Sequence, residues 1–106
     1  MDFNILPEEV KQRLDRGEAM TLLDVREPWE YDAARISGST LIPMGDVPSR
    51  VQELDPDENI VVICHHGIRS ANVAQWLRQQ GFDKAQSMSG GIARWSALID
   101  RTVPMY

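Results

Sequence analysis

Cysteine is nearly missing from this chain: its 106 residues carry one, Cys64. A single cysteine excludes an intramolecular disulfide, and a lone thiol suits a reducing interior, so a cytoplasmic protein is expected. Long apolar runs are missing too. No stretch approaches the roughly 18 residues of a membrane span, and Met1-Asp2-Phe3-Asn4 lacks the basic and then apolar start of a secretory leader. No membrane partner is expected. Basic residues are few, 11 against 16 acidic, for a formal charge of −5. Nine of them are arginines scattered along the chain. That leaves no basic stripe and excludes a nucleic-acid-binding surface. Repeats and low-complexity segments are absent. What remains is 42% hydrophobic and 25% charged, ordinary for a globular chain. The length suffices for one core, so residues 1–106 are read as a single domain.

Short apolar runs alternate with helix-like segments. Phe3 to Ile5 reads as a first strand. Pro7 opens a helix with Val10 and Leu14 on one face, and Gly17 stops it. Met20 to Val25 reads as a buried strand, and Pro28 begins a short helix through Tyr31. Ser39 to Ile42 is a third strand, ended by Pro43. Met44 to Leu54 is expected to be helical, with Val47, Val51 and Leu54 on one face and Pro48 near its first turn. The β-branched run Ile60 to Ile63 is a fourth strand; a helix over Ala71 to Gln80 follows, placing Val73, Trp76, Leu77 and Gln80 at helical spacing. Lys84 to Met88 is a last strand. Gly90-Gly91 turns the chain into a closing helix with Ile92, Trp95 and Ile99 inward. Trp29, Trp76 and Trp95 are read as core or half-buried packing, Trp29 least firmly. Strands separated by helices predict an α/β fold, a mostly parallel five-stranded sheet with helices on both faces. Such sheets bind ligands beyond the carboxyl ends of their strands, where Cys64 falls.

Cys64-His65-His66-Gly67-Ile68-Arg69-Ser70 lies between a buried strand and a helix. There, backbone N–H groups converge and the helix dipole favours negative charge, which stabilises a reactive thiolate. Gly67 permits positive φ, successive N–H groups form an anion nest, and Arg69 adds a permanent charge with a planar fork of donors. Cys64 is thus the candidate nucleophile, and His65, His66, Gly67, Ile68, Arg69 and Ser70 the candidate anion cradle. The expected chemistry is attack on a sulfur, phosphorus or arsenic centre bearing oxygens. The charge of His65 and His66 depends on pH. Adjacent histidines seldom aim at one ion and no second ligand cluster exists, so no metal is expected. Asp24 and Arg26 are either an ordinary strand-end ion pair or supports that brace the loop. Gly90-Gly91 is either a plain turn or a close approach to the cysteine loop. The plain alternative for Cys64 is a buried structural thiol.

The loop resembles the active-site loop of the rhodanese family, whose single-domain members often read Cys-x-x-Gly-x-Arg-Ser. Leu23-Asp24-Val25-Arg26-Glu27-Pro28-Trp29-Glu30-Tyr31 resembles the family's Asp-Val-Arg segment followed by Glu-Tyr or Glu-Phe. Ile36-Ser37-Gly38-Ser39-Thr40-Leu41-Ile42-Pro43 resembles its Ile-x-Gly-Ala-x-x-Ile-Pro stretch, and Ser89 to Trp95 its Gly-Gly-x-x-x-Trp ending. The resemblance implies a three-layer rhodanese-like fold and a thiosulfate sulfurtransferase. Cys64 would take the outer sulfur of a small anionic donor such as thiosulfate as a persulfide. It would pass that sulfur to cyanide, a thiol or a protein cysteine, without a metal or organic cofactor. Phosphatases and arsenate reductases of related fold carry five residues between cysteine and arginine. Here there are four, His65 to Ile68, which favours sulfur transfer.

Two departures stand out. Ala34-Arg35-Ile36 replaces the family's Gly-His-Ile, and His65-His66 stand where strong thiosulfate users carry Lys or Arg. A donor other than thiosulfate is therefore in view. An oxyanion reductase or phosphatase and a non-catalytic interaction module are the rival readings. A monomer is expected, because no long apolar surface pattern stands out.

Overall fold

Every apolar run becomes a strand, and a proline or glycine soon after each one turns the chain into the next helix. The computed structural model describes residues 2–106. The strands are β1 (Asn4–Ile5), β2 (Thr21–Asp24), β3 (Thr40–Leu41), β4 (Ile60–Ile63) and β5 (Ala85–Met88). The helices are α1 (Pro7–Asp15), α2 (Pro28–Ala33), α3 (Val47–Arg50), α4 (Ile68–Gln79) and α5 (Gly91–Leu98). The sheet order is β1-β5-β4-β2-β3. Every pairing is parallel, so the sheet is wholly rather than mostly parallel.

Central β4 shows how the layers form. Its side chains alternate between the two faces, as the pleat demands. Ile60, Val62 and Cys64 join Val73, Ala74 and Leu77 of α4 and Val47 of α3 in one apolar cluster. Val61 and Ile63 join Val10 of α1 and Ile92 and Trp95 of α5 in the other. All four residues of β4 are buried, as expected of a parallel strand covered on both faces.

The sequence reading needs four corrections. Met44 to Leu54 is not one helix: 3-10 turns at Met44–Asp46 and Val51–Glu53 flank the four residues of α3. Pro48 has no N–H to donate and fits only a first turn, so the helix starts at Val47; Leu54 is already extended, with ψ 146°. Second, α4 begins at Ile68 rather than Ala71, because Gly67 caps it at φ +113°. Third, α4 closes at Gln79 with Gln80 as its C-cap, and Ala74 joins Val73 and Leu77 in its buried stripe. Fourth, Trp29 is not packed into the core: it is 64% exposed.

Candidate active site

The chain leaves β4 at its carboxyl end, and Cys64 follows at once with 1% of its surface exposed. Its Sγ accepts the Gly67 backbone N–H at 3.0 Å and lies 3.3 Å from Ser70 Oγ. The left-handed conformation of Gly67 is what turns that N–H back onto the sulfur. Ser70 is fully buried in the first turn of α4, with its hydroxyl 2.8 Å from Ser87 Oγ on β5 and donating to Gly67 O at 3.1 Å. The thiol thus sits over the positive end of a 12-residue helix, among groups that tolerate negative charge.

The outer side of the loop is fixed by α5. Ile92 N–H donates to Cys64 O at 2.8 Å, and Ala93 N–H to His65 O at 3.1 Å. These bonds pair two otherwise unsatisfied amides at the start of α5 with two carbonyls of the loop. The close approach requires glycine. A Cβ on Gly91 would stand 2.4 Å from both Cys64 O and His65 O, and the residue itself has φ +61°. Of the two readings of Gly90-Gly91, the close approach is the one present.

Asp24 and Arg26 form a buried ion pair at the end of β2, both within 1% of full burial. Arg26 Nη2 and Nε lie on the Asp24 carboxylate at 2.7 and 2.9 Å. Its remaining N–H groups donate to Glu30 O, Ala34 O and Tyr106 Oη. Arg26 therefore ties β2 to α2 and to the segment carrying Tyr106. Arg69, expected as the fixed charge of the cradle, donates both Nη atoms to Glu30 at 2.6 and 2.9 Å.

Sequence reasoning missed Glu30 and Tyr106. Glu30 is 4% exposed and also accepts from Tyr106 Oη at 2.8 Å and from Glu27 N–H at 3.0 Å. The Arg69 guanidinium holds its carboxyl far below the ordinary value, at about 2. A signal existed, since a glutamate at the third position of a helix commonly reaches back to the cap. Tyr106 left none. Its ring stacks on His65 with centroids 4.2 Å apart, and His65 stacks on His66 at 4.0 Å. Burial, then the neighbouring His66, push the His65 pKa down. His65, His66, Ile92, Ala93, Pro104, Met105 and Tyr106 line a pocket of about 130 Å³ beside the loop. Among the described residues, no group of three His, Cys, Asp or Glu side chains is placed to hold a metal ion. No helix among them is long and apolar enough to cross a membrane.

A buried thiol beneath the Gly67 N–H and the start of α4, at the carboxyl edge of a parallel sheet, can act as a nucleophile. The chain is 40% identical over 93 residues to YrkF of Bacillus subtilis (strain 168), covering 88% of this chain and half of that protein. It is 33% identical over 86 residues to the thiosulfate sulfurtransferase GlpE of Pseudoalteromonas translucida, covering 81% of this chain and 82% of that one. The human single-domain sulfurtransferase TSTD1 superposes with a TM-score of 0.83 at 26% identity, over 92% of this chain and 98% of that one. The rhodanese-like domain model matches residues 6–98, so the chain belongs to the rhodanese-like sulfurtransferase family.

Proposed function

We propose that this protein is a sulfurtransferase that carries sulfane sulfur as a persulfide on Cys64, with thiosulfate as one donor and cyanide or a thiol as acceptor. The observation that carries the reading is the placement of Sγ under the Gly67 N–H and beside Ser70 Oγ, at the start of α4. In the first half-reaction the Cys64 thiolate forms a bond to the outer sulfur of the donor. The donor's S–S bond breaks and sulfite leaves with the electron pair. In the second, the acceptor attacks the terminal sulfur and the Cys64 thiolate is the leaving group. Preorganised N–H groups and the helix terminus support the negative charge that both steps develop. No cofactor enters either step.

The four-residue interval between Cys64 and Arg69 supports sulfur transfer over the oxyanion chemistry of related folds. A free thiol as reactive group fits a reducing, cytoplasmic setting. The test compares the protein with Cys64→Ser in transfer from thiosulfate to cyanide. Thiocyanate formation that is lost in the folded variant supports the reading. Transfer that survives in the variant overturns it, as does aryl phosphate hydrolysis without sulfur transfer.

A further inference from the structure

Resting on the sulfurtransfer reading above, we infer that Glu30 sets the donor preference of the thiol site: by neutralising Arg69 it selects donors of single negative charge over dianions. Thiosulfate is a dianion; organic thiosulfonates and persulfides are monoanions.

The charged groups at the site cancel. Arg69, the cation nearest the cradle in sequence, is held bidentately by Glu30. Glu30 cannot swing away, because Tyr106 Oη, the Glu27 N–H and Arg69 together fix both of its oxygens. Its lowered pKa keeps it ionised at neutral pH. The other guanidinium, Arg26, is matched by Asp24 in a pair closed to solvent. His65 is pressed towards its neutral form by burial and by His66. The charges acting on His65 are His66, Glu30, Arg26 and Arg69, so no fixed cation lacks its counter-ion among them. What remains beside the thiol is the Gly67 N–H and the start of α4.

A dianion entering such a site gives up more hydration than these dipoles return, whereas a monoanion gives up less. The bond changes are the same for each donor. The Cys64 thiolate bonds to the outer sulfur, the donor S–S bond breaks, and the electron pair departs on sulfite, a sulfinate or a thiolate respectively. Charge balances in every case.

Two ratios read the local potential in the protein and in Glu30→Gln, Arg69→Gln and the double variant. One is kcat/KM for thiosulfate against methanethiosulfonate. The other is the rate of Cys64 alkylation by iodoacetate against iodoacetamide, which needs no sulfur transfer and reads Cys64 alone because the chain has no other cysteine. Each ratio contrasts two reagents that differ by one unit of charge. Glu30→Gln is expected to raise both about fivefold, the order of effect of one uncompensated charge near a surface. Arg69→Gln lowers both similarly, and the double variant returns them towards the starting values. A purely structural role of the pair slows both reagents together and leaves the ratios unmoved; that result overturns the inference. If Glu30→Gln does not fold, the step from Arg69→Gln to the double variant reads the same charge. Alkylation ratios that shift while neither donor yields a persulfide uphold the charge role of Glu30 and place the failure in the sulfurtransfer reading.

Discussion

At the scale of single residues, Gly91 and Asp24 carry the sharpest demands. A methyl group on Gly91 meets two backbone carbonyls of the cysteine loop, neither of them the yielding end of a flexible side chain. Gly91→Ala is therefore expected to push the loop off α5, break the Ile92 and Ala93 hydrogen bonds and strain a positive φ. The loss should be on the order of 2–4 kcal/mol in denaturant unfolding, together with most of the activity of Cys64. Wild-type stability in that variant contradicts the packing described here. Asp24→Asn leaves the buried Arg26 guanidinium without its counter-charge and should cost about 3–5 kcal/mol. Asp24→Leu with Arg26→Met removes both charges at once and should recover a measurable part of that loss. The sequence left the pair open between an ordinary ion pair and a brace. Beyond the pair itself, the bonds of Arg26 run to α2, to Ala34 and to Tyr106.

At the scale of elements, the tie between α2 and α4 is the feature with a titratable signature. The carboxyl of Glu30 is held at about 2 in the folded chain against an ordinary value near 4.5. A lowered carboxyl stabilises the fold fully above its unfolded pKa and loses that contribution as pH falls through the folded one. The Glu30–Arg69 pair is thus expected to contribute at most about 3 kcal/mol above pH ~4.5 and progressively less towards pH ~2. Unfolding curves of the protein and of Glu30→Gln should converge across that window. Parallel curves through it contradict the pairing.

The element scale also shows what the chain reveals in its order of residues. The run Ile60–Ile63 is β4 to the residue, because four β-branched residues between an acidic turn and a glycine loop leave little choice. Cys64 and the turn at Gly67 follow from it. Met44 to Leu54 misled because Val47, Val51 and Leu54 have helical spacing, while Pro48 and the extended Leu54 limit the helix to one turn. Glu30 and Arg69 meet across 39 positions, and no periodic pattern records such a meeting. The same holds for Tyr106, which reaches Glu30 and His65 from the far end of the sequence.

At the scale of the molecule, the parallel sheet gathers the reactive parts. All strands run the same way, so the segments after β2, β4 and β5 emerge on one edge. Those segments carry Arg26 and Glu30, Cys64 to Ser70, and Gly90-Gly91. The two apolar layers on either side of β4 hold that edge rigid, which a preorganised cradle requires. The central claim is that this edge exists to load and unload sulfur on one thiol. The direct test is the intact mass of the protein after incubation with methanethiosulfonate or thiosulfate, with Cys64→Ser alongside. The account predicts the gain of one sulfur atom, removed by cyanide and absent from the variant. A folded protein whose free thiol gains no sulfur from either donor, or a variant that gains it equally, contradicts the account.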